Sequence, residues 1–231
     1  MRRLLASWPA CQVRMTLCIV NFMTRKGSSR QYRKTKRARQ EQETRRRITE
    51  AAVELHRAVG PARTAITDIA KHAGVSRMTV YSHFPTEVDL LMACSTHWAR
   101  SNQFPDPSSW APIDDPAERL TIALEELYRW YGRKQDMLGK VLRDIHTVEA
   151  LATVMDGLWS PWLRAIIQTL AVGWPAHRAG GDELMGALRL AVDFDTWRLL
   201  TGSGLDDRAA ADLVARMLRA EFGPDRKPDG R

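Results

Sequence analysis

The sequence predicts an all-α protein of about nine helices. From about residue 40 to residue 222, apolar residues recur three and four positions apart, the period of one helix face. No run alternates apolar and polar residues as a half-buried strand would. Glycines, prolines and capping residues punctuate the chain where helices should start and stop. The 231 residues, 44% hydrophobic and 27% charged, suffice for a core in one or two domains. No stretch of about 18 residues is both apolar and uncharged, so no membrane-spanning helix is expected. Three scattered cysteines fit neither a disulfide framework nor a metal clip, which points to a reducing, cytoplasmic location.

Each element has its own local reason. Ile48, Ala51, Ala52, Leu55 and Val59 make the first stripe, and Gly60-Pro61 ends it. A short helix follows, with Thr67 as N-cap, Asp68 in its first turn and Ile69, Ala70 and Ala73 facing inward. Gly74 makes a tight turn, and Ser76 caps a helix that carries Val80 and Phe84 on one side and stops at Pro85. Thr86-Glu87-Val88-Asp89 reads as a capping box opening a fourth helix to about Ser101. Four prolines between Gln103 and Pro116 mark a linker. Pro116, behind Asp114-Asp115, opens a helix to about Arg133, with Leu120, Leu124, Leu127 and Tyr131 inward. Residues 135–145 form the next, and 148–172 one that is kinked or broken at Ser160-Pro161. A loop covers 173–181. The last two helices are 182–200 and 206–222, joined by Thr201-Gly202-Ser203-Gly204.

Charge is concentrated at one end. Residues 1–47 carry a net +12 and the remainder −4. A basic arm on a mildly acidic body suggests a polyanionic partner; a solubilising tail is the alternative. The opening Met1-Arg2-Arg3-Leu4-Leu5-Ala6 resembles a targeting signal, but Pro9, Gln12 and Arg14 interrupt its apolar stretch and no cleavage site follows. Residues 1–24 read as an unstructured extension, with Met15 and Met23 as further candidate starts. Residues 24–39 are too poor in apolar side chains to bury a core. The expected layout is a disordered basic extension over 1–40, a three-helix DNA-binding domain over 41–98, a larger helical domain over 99–223 and a disordered tail over 224–231.

The span from Thr67 to Phe84 has helix-turn-helix spacing. The major groove of duplex DNA admits one helix, and residues near its N-terminus reach the base edges. Arg77 suits a guanine edge, and the methyl groups of Met78 and Thr79 suit a thymine methyl. Tyr81 and His83 suit phosphate oxygens, and Ser82 shares the polar face. Arg45, Thr67 and Ser76 complete the expected DNA-contacting set. A plain three-helix corner is the bland alternative.

The residues themselves resemble a family. ITDIAKHAGVSRMTVYSHF, preceded by RRRITEAAVELHRAVG, is similar to the DNA-binding domain of tetracycline-repressor (TetR) family regulators, over about residues 45–97. AVDFDTWRLLTGSGLDDRAAADLVARML is similar to that family's last two helices, which usually form a four-helix dimer interface. Two positions depart from the family's pattern: Glu87 replaces a common lysine, and Met78 a small residue. The resemblance implies a helix-turn-helix head followed by a helical ligand-binding and dimerisation domain. It implies a homodimeric, ligand-responsive regulator, most often a repressor, that binds a palindromic double-stranded DNA operator and needs no cofactor or metal.

The middle of the chain carries no motif but is rich in Trp and Tyr. Trp98, Trp130, Tyr131, Trp159 and Trp162 are candidates for contacting an aromatic or hydrophobic small-molecule effector. Burial in the core is the alternative for each. Arg143, Asp144, His146 and Asp193 could orient a ligand's polar end, although Arg189 and Asp193 have the spacing of an i, i+4 ion pair. Leu184, Leu188, Ala191, Leu213 and Met217 are the expected dimerisation residues. Nucleotide, phosphate-loop, zinc-hydrolase and serine-hydrolase signatures are lacking, which argues against an enzyme. Two rival readings remain: a helical small-molecule-binding protein whose basic arm meets an acidic protein or membrane surface, and an all-α enzyme.

Overall fold

Helical periodicity governs the whole of the computed structural model, which describes residues 11–175 and 181–223, with side chains from Gln31 onward. Among the described residues there are nine α-helices and no strand. Contacts divide the chain after Ile48 into two compact units, Met1–Ile48 and Thr49–Arg231. The expected boundary near residue 98 therefore falls inside one unit. There α4 (Glu87–Ser101) packs on α6 (Glu149–Leu170).

The first helix, α1, spans Cys11–Val59 and stops before Gly60-Pro61. It passes through the segment expected to be disordered, a correction for residues 11–40. Residues 1–10 and the expected tail 224–231 lie outside the described residues. Poverty in apolar residues does not preclude a helix when the residues are Arg, Lys, Gln and Glu, which are good helix formers. No proline interrupts 31–59. Arg37–Glu41 at 3.2 Å and Arg46–Glu43 at 2.5 Å add exposed pairs one turn apart, worth about 0.2–0.5 kcal/mol each.

Beyond residue 60 the boundaries are set by caps. A 3-10 turn covers Pro61–Arg63, and α2 spans Ile66–Ala73. Its N-cap is Ala65, without a side-chain bond, so Thr67 lies inside the first turn rather than capping it. Gly74 ends α2 in the left-handed region (φ 64°), where Val75 N–H reaches Ala70 O at 2.9 Å and closes the helix end. The third helix, α3 (Arg77–His83), is capped by Ser76, whose Oγ accepts from Thr79 N–H at 3.1 Å. The expected capping box opens α4: Thr86 Oγ1 accepts from Asp89 N–H, and Asp89 Oδ2 accepts from Thr86 N–H, both at 3.1 Å.

The larger helices depart from expectation in three places. First, α5 runs unbroken over Pro116–Asp144, so residues 135–145 are its continuation. Asp115 caps it, accepting from Ala117 N–H at 2.8 Å. Gly132 is the apparent weak point, but its missing side chain makes room for a neighbour: a Cβ there would lie 2.7 Å from Asp207 Oδ2. Asp207 opens α9 (Asp207–Phe222), which packs along α5, and its carboxylate accepts from Trp197 Nε1 at 2.9 Å. Second, α6 continues through Pro161 as one helix, with Leu151, Val154 and Met155 buried before the proline and Ile166, Ile167 and Leu170 after it. Burial on both sides opposes the roughly 3 kcal/mol a mid-helix proline costs.

Third, residues 182–200 form two helices, α7 (Gly181–Ala191) and α8 (Phe194–Gly202). Asp193 caps α8, its Oδ1 accepting from Asp195 N–H at 2.7 Å, and so acts as a cap rather than as the expected partner of Arg189. The break frees carbonyls at the end of α7, and two buried phenols meet them. Tyr128 Oη donates to Ala191 O at 2.8 Å, and Tyr131 Oη to Val192 O at 2.7 Å. Burial, with the charge of Asp193 nearby, pushes both phenol pKa values up. Arg119, also buried, donates to Ile113 O at 2.9 Å and to Val172 O, just past the end of α6.

Candidate functional site

The helix-turn-helix forms as its spacing predicts. Ile69, Ala70, Ala73, Val80 and Phe84 are buried, so α2 and α3 pack through small and branched side chains. This leaves Arg77, Met78, Tyr81 and Ser82 exposed on α3, with Met78 75% and Tyr81 43% accessible. Exposed apolar surface of that kind on a seven-residue helix is a feature of a contact surface rather than of a core. Thr79 and His83 are half-buried at the flank. Ser76 and Thr79 join hydroxyls at 2.8 Å, so part of their hydrogen-bonding capacity serves the helix cap. Thr67 is exposed in the first turn of α2. Arg45 is exposed on α1, in the other compact unit. His72 Nε2 lies 2.6 Å from Glu54 Oε2 and ties α2 to the last turns of α1.

A second site lies within the larger unit. The last turns of α1, together with α4, α5 and α6, enclose a cavity of about 350 Å³. Its wall is mainly apolar: Leu91, Met137, Leu138, Val141, Leu151 and Met155, with the aromatic rings of Trp98, Phe104, Trp159 and Trp162. A strap between α4 and α5 supplies Phe104. Trp130 Nε1 donates to Gln103 O at 2.7 Å and Trp162 Nε1 to Pro105 O at 3.0 Å, so two indoles fix the carbonyls on either side of that ring. Phe104 then meets Trp130 at 4.9 Å and Trp162 at 5.1 Å between ring centroids.

Three of the five aromatic residues expected at an effector, Trp98, Trp159 and Trp162, line this cavity. Trp130 does not; it is buried behind them and holds the strap. Tyr131 is corrected to a core residue, because its hydroxyl closes α7 and its ring packs on Phe194 and Trp197. Nor do Arg143, Asp144, His146 and Asp193 line the wall. Asp144 instead accepts from Ala62 N–H at 3.0 Å and from Arg143 Nε at 2.7 Å. Burial works to raise its pKa, but the Arg143 bond, the Ala62 N–H and nearby Arg charges hold it below the ordinary value.

Of this wall the sequence reading named three tryptophans, and His56 and Phe104 are the most consequential of the residues it missed. His56 stands four residues after Ala52 and three after Val53, on the buried face of α1, and that spacing was the available signal. Phe104 stands in a proline-rich linker, which gave it no periodicity. Burial lowers the His56 pKa to about 4, although the Asp144 charge opposes this, and raises that of the Cys94 thiol to about 12. Both are therefore neutral at pH 7.

Of the expected dimerisation residues, Leu184, Leu188 and Ala191 are buried within the chain itself, because α7 packs on α6 and α9. Leu213 is half-exposed and Met217 is 62% accessible. Leu190 and Leu199 are further exposed apolar residues, at 66% and 74%.

A capped helix-turn-helix with an exposed polar face, carried on helices that enclose an apolar cavity, is the architecture of a DNA-binding regulator. Residues 48–94 match the family model of bacterial regulatory proteins, tetR family, and the helix-turn-helix domain belongs to that family. Solved structures share the fold. NalD, the secondary repressor of the MexAB-OprM multidrug efflux pump in Pseudomonas aeruginosa, is 19% identical with a TM-score of 0.56, covering 80% of this chain and 98% of its own. A protein described as a transcriptional regulator from Saccharomonospora viridis, in complex with choline, is 20% identical with a TM-score of 0.54, over 78% and 98% of the two chains. A TetR-like transcriptional regulator from Rhodococcus sp. RHA1 is 18% identical with a TM-score of 0.52, over 77% and 94%. No curated protein matches the chain. Among the described residues no helix is long and apolar enough to cross a membrane.

Proposed function

We propose that the protein is a ligand-responsive transcriptional repressor that binds a palindromic operator as a homodimer and leaves it when a small molecule fills the cavity. The observation that carries this reading is that the reading motif and the cavity share structure. The last turns of α1, which pack with the motif through Glu54 and His72, also supply Val53 and His56 to the cavity wall. A ligand that reshapes that wall would act on the helix behind the reading helix. The choline bound by the Saccharomonospora viridis protein supports a small-molecule role for the corresponding domain here. Exposed Leu199 on α8 and Met217 on α9 are the apolar surface a second copy would cover. The reading places the protein in the cytoplasm, with DNA.

Fluorescence anisotropy with DNA from upstream of the protein's own coding sequence tests the reading directly. Saturable binding that outcompetes random DNA is expected, with two chains per site by light scattering. Binding no tighter than to random DNA would refute it. The basic arm 24–47 should add affinity without sequence choice, since phosphate contacts carry no base information. If two or three basic residues per arm engage, a protein starting at Glu41 should lose about 4 or 5 from the salt slope of log K as a dimer. Equal slopes for both lengths would make the stretch a solvated helix and nothing more.

A further inference from the structure

We propose that the cavity selects an uncharged, ring-bearing ligand carrying one hydroxyl or carbonyl group, and that His56 holds that group. The inference deepens the regulator reading by naming the effector's chemical class. No Asp, Glu, Lys or Arg lines the cavity. A charged ligand would therefore leave water for an apolar wall with no counter-ion, a loss that pairing normally offsets. Phe104 meets Trp98, Trp159 and Trp162 at interplanar angles of 83°, 68° and 70°, packing edge to face.

His56 is the buried polar ring of the wall; the half-exposed hydroxyls of Ser95 and Thr96, on α4, are its other uncharged polar groups. His56 is 6% exposed and lines the cavity, and among the described residues neither ring nitrogen has a hydrogen-bond partner. Among the described residues Arg119 Nε is the side-chain nitrogen sealed off without a partner, so the His56 nitrogens stay open to water, and a ligand that displaces this water must replace its hydrogen bonds. Kept neutral by burial, His56 offers one donor and one acceptor, which match a hydroxyl or a carbonyl. Cys94, the other titratable wall residue, already points its thiol at Thr49 O, 3.9 Å away.

The test is equilibrium dialysis of the full-length protein against four probes: 1-naphthol, naphthalene, 1-naphthoate and benzyltrimethylammonium. We expect 1-naphthol to bind once per chain, at least about tenfold tighter than the anion and the cation. His56→Phe should weaken 1-naphthol roughly tenfold, the equivalent of one hydrogen bond, while naphthalene binds as before. Unchanged naphthalene binding also reports that the variant has folded. Charged probes binding as tightly as 1-naphthol would overturn the proposal, as would no probe binding. So would His56→Phe weakening naphthalene and 1-naphthol alike, which would make His56 a packing residue. DNA binding by the same preparation separates the two readings. DNA bound without probes defeats only the inference, and probes bound without DNA defeat only the regulator reading.

Discussion

Between Ile66 and Ser101, the side chains that set helix ends act on backbone only three residues away: Ser76 on Thr79, Thr86 on Asp89. Between Pro116 and Phe222, local caps such as Asp193 on Asp195 and Asp206 on Ala209 are joined by bonds that span far more chain. Tyr128 reaches Ala191 across 63 residues, Tyr131 reaches Val192 across 61, and Arg119 reaches Val172 across 53. A reading head built from local bonds keeps its shape when its surroundings shift. A body in which some helix ends are also closed from elsewhere in the chain passes a change at one of them to distant segments. That division suits a protein whose one part must stay constant on DNA while the other responds to a ligand.

The largest test of this contrast removes the two phenol hydroxyls together. Tyr128→Phe with Tyr131→Phe leaves two buried carbonyls unpaired and should cost about 2–6 kcal/mol, measured by urea unfolding. A loss below about 1 kcal/mol would mean that water replaces the phenols and that the long-range closure is weak.

Next in size is a pH effect centred on His56. Its folded pKa, about 4, lies below the ordinary 6.5, so across this window the unfolded chain binds a proton that the folded chain does not. Stability is then complete above pH 6.5 and falls as pH drops toward about 4, by up to about 3 kcal/mol. Asp144 acts in the same direction, but only below its ordinary carboxylate range. Unfolding curves at pH 7.5, 6 and 5 should therefore diverge for the wild type and nearly coincide for His56→Phe. Equal slopes in the two proteins would assign the pH effect to other groups.

Arg77→Ala should cost about 1–3 kcal/mol in operator binding and relax base preference at one position per half-site. Because Arg77 is exposed, its stability effect should stay within about 0.5 kcal/mol. If random DNA lost affinity equally, Arg77 would be a phosphate contact. Smallest is Thr86→Ala, which removes one cap and should lower the melting free energy by about 1 kcal/mol. A loss approaching that of the tyrosine pair would erase the contrast between the two regions.

The same division explains what could be read in the sequence. Gly74, Ser76 and the Thr86–Asp89 box are local signals, and the structure has each where the spacing put it. The continuity of α5 through Gly132 was hidden because its reason, the Asp207 carboxylate, lies 75 positions away. The break between α7 and α8 was hidden likewise, since Leu188, Ala191 and Val192 read as one apolar stripe until Tyr128 and Tyr131 supply bonds to the freed carbonyls. Thr67 misled for a smaller reason: it stood two residues inside a helix that begins without a side-chain cap. The cavity was legible as an abundance of tryptophan, but not as a division of labour. Trp98, Trp159 and Trp162 form wall, whereas Trp130 acts on the strap.

That indole cluster also makes the cavity visible to light. Trp130 stands 6.1 Å from Trp98, 6.3 Å from Trp159 and 5.7 Å from Trp162 between centroids, and Trp159 and Trp162 are 4.8 Å apart. At such spacing the excited states of neighbouring indoles mix and absorbed energy passes among them before emission. A molecule seated against Trp159 alone would therefore change the near-ultraviolet dichroism of the whole set, so the protein carries a built-in optical gauge of whether its cavity is filled.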